Sequence, residues 1–412
     1  MIASTVKSLI VFQMDPLGDK VGGIQTFIRN FIRYAPDDFE MHFVGVTTDP
    51  RKRPVGVWST LEMEGRPVRF LPVVAVRDEN VKGRVPLSLR LTGGLLRHRR
   101  QIDCSDKLVT FHRIEPSVAL RSHPSRTILF LHGNPLVDMK NPRAETKWSG
   151  LGWLYQSFER RQLAGIERVF IVLEEAVQEY KDRYPQWADR FQFIPTWVDD
   201  TRFFPLSPDA RQIARAEFLA EQGLPQASEL LMFVGRLDGQ KDPLLLVDSF
   251  AALTSRRPEV ALVVVGAGPL EGQVADRIRQ LGLETRVRIL GFVSPERVAD
   301  LLRVADLFLL TSAFEGMPMS VLEALGSGVP VVAPDVGEVG RVVHDGRSGA
   351  ICRLREPARV ADAAVRVLAE RPGPEQCAAA VRDFTASVVL DRLYREYRRL
   401  SATGSPAVTA RA

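Results

Sequence analysis

The chain has 412 residues, 45% of them hydrophobic and 25% charged, room for two or three packed domains and a composition that excludes disordered, fibrous and membrane-embedded classes. The net charge of +5 is uneven: residues 51–100 carry 12 Lys+Arg against 4 Asp+Glu, whereas residues 201–412 carry 26 of each. Cys104, Cys352 and Cys377 have no metal-type spacing and suggest no disulfide framework, which points to a cytoplasmic setting. The apolar run Leu9–Phe12 is too short for a signal-peptide core, and no stretch reaches the length of a spanning helix, so any membrane contact is expected to be peripheral.

Taken in order, the chain alternates short apolar runs with helical text. Ser8–Gln13 reads as a first strand, and the loop after it carries Gly22 and Gly23 before an amphipathic helix with Phe27, Ile28, Phe31 and Ile32. Paired glycines let backbone approach a ligand with no Cβ in the way, and a plain turn is the other reading. Met41–Val46 and Val68–Val73 continue the sheet. Pro86–Arg100 is apolar and basic together, which fits either a core-packed helix with a solvated basic end or docking on an anionic membrane. Strands Lys107–His112 and Thr127–His132 each end on a histidine, and Arg168–Leu173 and Phe191–Pro195 follow with a helix Glu174–Tyr184 between them.

A proline-bearing linker, Asp200–Asp209, leads to a second α/β unit. Strand Leu230–Gly235 is followed by Arg236-Leu-Asp-Gly-Gln-Lys241, then by Asp242 and Pro243 as a helix cap and first-turn residue. Arg236 offers a planar fork of donors and Lys241 a mobile point charge, both at a strand's carboxyl end, which suits a diphosphate. Ala261–Val265 runs into a glycine loop at Gly266, Val287–Val293 precedes a helix Pro295–Val304, and Asp306–Thr311 reads as a buried strand whose loop carries Glu315. Ser320 followed three residues later by Glu323 is a capping-box pattern, predicting a helix start whose N–H groups near Gly316, Met317, Met319 and Ser320, beside Pro318, face the crevice. Glu323 is then either a cap or a ligand-binding carboxylate. Val329–Ala333 is a further strand, and helices Pro357–Glu370, Pro374–Arg382 and Ala386–Leu400 complete the pattern.

Glu315 and Glu323, with this loop and helix start between them, resemble the E-x7-E motif of retaining GT-B glycosyltransferases of the GT4 type. The run Phe233-Val-Gly-Arg-Leu-Asp-x-x-Lys241 is similar to that family's diphosphate clamp. The resemblance implies an α/β fold of two Rossmann-like domains facing each other across a cleft. The expected boundaries are 1–199 on the acceptor side, 200–385 binding the nucleotide sugar, a helix 386–400 returning to the first domain, and a disordered tail 401–412. It implies a hexosyltransferase of the retaining kind, with a role in polysaccharide biosynthesis. Arg236, Lys241, Glu315 and His132 would carry the reaction. Gly22, Gly23, Gly266, Gly316, Met317, Pro318, Met319, Ser320 and Glu323 would bind the donor, with Glu323 on the ribose. His112 would lie toward the acceptor, and Asp335 and Gly337 carry a weaker resemblance.

Ile194-Pro-Thr-Trp-Val-Asp199 departs from the family's Ile-Pro-Asn-Gly-Val-Asp, so that loop is expected to differ. No cofactor and no metal is expected, the nucleoside-diphosphate sugar being a substrate and the cations stabilising its leaving group. The acceptor is expected to be a glycan, a lipid-linked glycan or a small molecule, with peripheral membrane contact through residues 51–100 and no nucleic-acid partner. A GT-B sugar-nucleotide epimerase and a non-catalytic nucleotide-sugar-binding protein are the alternative readings.

Overall fold

The computed structural model describes residues 5–18, 22–79, 85–121, 126–133, 152–226 and 228–402. The chain forms two compact units, one built from residues up to Pro195 together with those from Val389 onward, the other from Thr196 to Val388.

The first unit holds strands β1 (Val6–Val11), β2 (Phe39–Thr47), β3 (Ser59–Met63), β4 (Arg66–Ala75), β5 (Leu108–Phe111), β6 (Arg126–Leu131), β7 (Arg168–Ile171) and β8 (Phe191–Phe193). They lie in the order β3-β4-β2-β1-β5-β6-β7-β8. Seven are parallel; β3 pairs antiparallel with β4 at the edge. The parallel strands are near-continuous apolar runs because helices cover both faces of such a sheet. One of those helices is Leu87–His98, which buries Leu91 and Leu95 and leaves Leu89 and Leu96 exposed. Of the two readings of this stretch, the packed helix is therefore the one observed for its inner face. The final helix, Ala386–Ala402, closes the unit: Tyr394 donates to the carbonyl of Phe31 at 2.6 Å, the Tyr397 and Thr110 hydroxyls lie 2.8 Å apart, and Arg398 makes a two-point contact with Asp38 at 2.7 and 2.8 Å.

The second unit has strands β9 (Glu229–Val234), β10 (Val260–Val265), β11 (Val287–Gly291), β12 (Leu307–Leu309), β13 (Val331–Pro334) and β14 (Gly349–Cys352), all parallel and ordered β11-β10-β9-β12-β13-β14. Two apolar clusters sandwich this sheet, one around Met232, Val263 and Phe308, the other around Phe233, Val264 and Leu309. Alternate residues of each strand supply the two faces. Neither β3 nor β14 is individually legible in the sequence pattern. β14 reads Gly-Ala-Ile-Cys, too short and small to score as a strand, and Gly349 sits at φ +149° where a Cβ would lie 1.8 Å from the carbonyl oxygen of Val331, so only glycine lets the edge strand approach. The expected helix Pro374–Arg382 is shorter than read: it ends at Ala379, and a separate 3-10 turn spans Arg382–Phe384.

Candidate functional site

In an open parallel sheet the crevice lies at the carboxyl ends of the two strands where the strand order reverses. In the second unit those strands are β9 and β12, with β10 beyond one and β13 beyond the other. The loop after β9 carries Arg236 and Lys241, and the loop after β12 carries Glu315. Topology alone thus brings two stretches that are 74 residues apart to one point.

There the loops are sewn together. Lys241 Nζ donates to Glu315 Oε1 at 2.6 Å, with the side chains only 18% and 7% exposed. The Thr311 hydroxyl donates to the Lys241 carbonyl at 2.9 Å, Ala313 N to the Gln240 carbonyl at 2.7 Å and Gln240 Nε2 to the Phe314 carbonyl at 3.2 Å. Asp238 Oδ1 accepts from the N–H groups of Gln240 and Lys241, each at 3.1 Å, which folds the loop back on itself. The lysine stem runs along Gly235, where a Cβ would sit 3.5 Å from its Cδ and Cε. Arg236 differs from Lys241: its side chain is 58% exposed and its closest anionic neighbour, Asp238, is 3.7 Å away. One cation is built into the site and the other projects from it.

The neighbouring glycines have backbone reasons to be glycine. At Gly266 (φ +127°) a Cβ would lie 2.0 Å from the carbonyl oxygen of Gly235, and at Gly337 (φ +52°) one would lie 2.1 Å from that of Gly316. Gly316 in turn accepts from Glu338 N at 2.9 Å, so the Glu315 loop is braced from the β13 side.

The capping-box reading of Ser320 and Glu323 does not hold. The helix is Met319–Gly326, its N-cap is Pro318, and no side chain caps it. Proline fixes an extended entry without a side-chain bond, which places Ser320 two positions inside the helix start rather than at its cap. The Ser320 hydroxyl is buried with no hydrogen-bond partner, and among the described residues no acceptor faces the N–H groups of Gly316 and Met317. Burial pushes the Glu323 carboxyl up to about 7, against the opposing pull of Arg202 and Lys241. A carboxylate kept partly out of water without a cap to make is available to a ligand.

In the first unit the corresponding reversal falls between β1 and β5. The loop after β1 is anchored by Asp15, whose Oδ2 accepts from Thr48 N at 2.7 Å, the Thr48 hydroxyl at 2.8 Å and Arg53 Nη2 at 2.7 Å. Gly22 is the N-cap of the helix Gly23–Arg33, in extended conformation, and the residues between Gly18 and Gly22 lie outside the described ones. His112 and His132 meet: His112 Nδ1 and His132 Nε2 are 2.8 Å apart, among the rings of Phe12, Phe27 and Phe130. Burial holds the His132 imidazole down at about 3 and lowers His112 well below the usual range, with its neighbour His132 adding to the effect. Both rings are therefore neutral at pH 7, one donating and the other accepting. Asn134, two residues after His132, lies outside the described residues.

Two contacts had no sequence signal. His112 and His132 are 20 residues apart on separate strands, and only adjacency of β5 and β6 pairs them. Arg355 donates from Nη2 to Asp242 Oδ2 at 2.6 Å and to the Thr311 carbonyl at 3.0 Å, and nothing local marks it. Where the family has Asn-Gly, Thr196 and Trp197 are buried, Trp197 completely, and the next residue pairs with the chain's end segment through Val198 N to the Phe384 carbonyl at 2.9 Å and Ala386 N to the Val198 carbonyl at 2.8 Å.

Two α/β units, each built on a parallel sheet with a strand-order reversal, are the architecture of the GT-B fold. Residues 214–384 match the family model described as glycosyl transferases group 1. Over these 171 of its 412 residues the chain is similar to glycosyltransferases of that group. A mannosylfructose-phosphate synthase of Agrobacterium fabrum is 36% identical over 162 residues, 37% of this chain and 34% of that protein. A D-inositol 3-phosphate glycosyltransferase of Nocardiopsis dassonvillei is 30% identical over 280 residues, 65% of this chain and 62% of that one. The match thus spans between about a third and three-fifths of these relatives' lengths. Among solved structures, sucrose-phosphate synthase from Thermosynechococcus elongatus superposes with a TM-score of 0.76 at 17% identity, over 97% of this chain and 100% of that one. Anabaena HepE in complex with UDP and glucose gives 0.67 at 18% identity, over 95% and 99%. These two support the fold.

Proposed function

We propose that the protein transfers a sugar, with retention of anomeric configuration, from a nucleoside-diphosphate donor held by the second unit to an acceptor bound through the first. The observation that carries this reading is the buried Lys241–Glu315 pair at the β9/β12 reversal. In the proposal Lys241 and Arg236 take the diphosphate charge as the glycosidic bond breaks, and Glu315 turns toward the donor sugar. The N–H groups of Gly316 and Met317 and the Ser320 hydroxyl bind polar oxygens of the donor, and Glu323 bonds the ribose hydroxyls. Fixed cations aimed at a developing charge are worth most where water is excluded. His132, neutral and fixed by His112, supplies a hydrogen bond rather than a proton. Solved relatives of the same fold hold UDP and UDP-glucose, which supports a nucleotide sugar as donor.

The test is incubation of purified protein with UDP-, GDP- and ADP-sugars in excess EDTA, following nucleotide release and product anomer by NMR. Release of the diphosphate with retained configuration is expected. Absence of both turnover and nucleotide binding across the panel would sink the reading, and loss of activity restored by Mg²⁺ or Mn²⁺ would remove its metal-independent part.

For the acceptor we propose a lipid-linked glycan approached from an anionic membrane surface. The exposed Leu89 and Leu96 stand beside Arg97, Arg99 and Arg100 at the end of the helix Leu87–His98, and among the described residues no helix is long and apolar enough to span a membrane. Basic side chains near an anionic leaflet contribute about 1 kcal/mol each, weakened by salt. Sedimentation with anionic vesicles at low salt is expected to pull the protein down, and high salt to release it. The relatives' names mention D-inositol 3-phosphate, and failure to sediment would favour a soluble phosphorylated acceptor of that kind.

A further inference from the structure

Lys241 is held by more than its partner. The residue after it, Asp242, is the N-cap of the helix Pro243–Thr254, accepting from Leu245 N through Oδ1 at 3.4 Å, and it does so at φ +49°. A non-glycine residue in the left-handed region persists only where its surroundings over-determine it. Those surroundings include Arg355, just beyond the carboxyl end of the edge strand β14, which reaches across to bond Asp242 Oδ2 at 2.6 Å and the Thr311 carbonyl at 3.0 Å from one nitrogen. Thr311 bonds the Lys241 carbonyl at 2.9 Å. The contacts close a ring, Arg355 to Thr311 to Lys241 to Asp242 and back. The ring ties the β9 loop to the β12 loop.

We propose that Arg355 is a positioning residue for Lys241: it fixes the backbone from which the lysine stem projects, and so the point at which the ammonium meets Glu315 and, on the reading above, the donor diphosphate. This rests on that reading for its kinetic consequence and not for its geometric one. Packing alone does not account for the arginine, because its Nε is buried without a hydrogen-bond partner, an arrangement that a neutral residue would avoid. One guanidinium nitrogen, with its two N–H donors, reaches a carboxylate and a carbonyl at once. Arg355 is 114 residues from Lys241 in the chain, and only the order of strands brings them together.

The experiment compares Arg355→Met, Arg355→Lys, Asp242→Asn and the Arg355→Met/Asp242→Asn double variant. Read out are kcat and KM for whichever nucleotide sugar the wild type turns over, the melting-temperature shift given by UDP, GDP and ADP, and the crystal structure of Arg355→Met. A misplacement of order 1 Å at a reacting group lowers turnover by up to about a hundredfold. Arg355→Met is therefore expected to lose about tenfold or more in kcat with KM changed less than about threefold, since Arg236 and the backbone donors still bind the ground state. Arg355→Lys, which keeps the charge and one bond, is expected to recover at least about a third of the lost activity. The double variant is expected to match the worse single one, because both break the same ring. In the crystal, Lys241 Nζ should leave its contact with Glu315. Wild-type kcat in Arg355→Met, additive effects in the double variant, or a Lys241 ammonium within about 0.5 Å of its original place each overturns the proposal. If the wild type neither turns over a nucleotide sugar nor binds a nucleoside diphosphate, the functional reading fails on its own, and the position of Lys241 in the Arg355→Met crystal still decides this one.

Discussion

Lys241→Ala is expected to lower donor turnover by about two orders of magnitude or more, on the scale of about 3 kcal/mol for one lost charge-stabilising donor, and to lower the melting temperature as well. The second effect follows from geometry. Glu315 is 7% exposed and its ion partner is Lys241 at 2.6 Å, so the truncation strands a carboxylate, and breaking a well-buried pair from one side costs about 3 kcal/mol or more. Arg236→Ala separates the two terms. Its side chain is 58% exposed and its ion pair with Asp238 is a long one of 3.7 Å, which contributes little to stability in water, so turnover should fall by a comparable factor while the melting temperature stays where it was. The double variant Lys241→Ala/Glu315→Gln completes the cycle: removing the stranded charge restores most of the stability and none of the turnover. Near-normal rates in both single variants would refute the clamp, and recovery of turnover in the double variant would mean that the lysine serves only to neutralise Glu315.

Much of this site could be read before any coordinates because its parts are local. Leu230–Gly235 is a run of buried apolar residues that ends on a glycine and two cations, and Asp306–Thr311 ends on a loop with a carboxylate; parallel strands buried on both faces leave few other assignments for such text. The helices Pro295–Val304 and Pro357–Glu370 begin and end as read because each opens on a proline after a polar or charged residue and continues with helical periodicity. The failures have a shared cause. The capping box at Ser320 is a one-turn pattern, and Pro318, two residues earlier, set the helix start instead. Of the five leucines that made residues 86–100 look lipid-facing, Leu91 and Leu95 are in the core, because a packed helix and a surface helix share the same apolar period. The His112–His132 contact and the Arg355 ring are products of strand order, which joins residues with no sequence relation at all.

Glu323→Gln is expected to weaken nucleoside-diphosphate binding by about tenfold or more while making the empty protein more stable above pH 7. Two hydrogen bonds from ribose hydroxyls to a carboxylate are charge-assisted, each worth about 1.5 to 3 kcal/mol, and an amide oxygen replaces only the acceptor without the charge. The stability change runs the other way. Burial raises this carboxyl from its ordinary value of 4.5 to about 7, so between those limits the folded chain holds a proton that the unfolded chain has released. Its contribution to stability is therefore full at low pH, falls as pH rises through the folded value, and levels off above about 7 as a loss of about 3 kcal/mol. Glutamine carries no such charge, and the variant's stability relative to wild type should climb over that window. Ligand binding supplies the converse slope: the carboxylate must be ionised to accept from both hydroxyls, so the wild-type advantage in affinity over Glu323→Gln should grow from pH 5.5 to 8. Taking the difference between the two proteins cancels the titration of the diphosphate itself. Calorimetry with UDP, GDP and ADP at both pH values decides the matter: equal affinities at pH 8 would remove Glu323 from the ribose, and a stability difference that does not vary with pH would mean that its carboxyl is not held out of water.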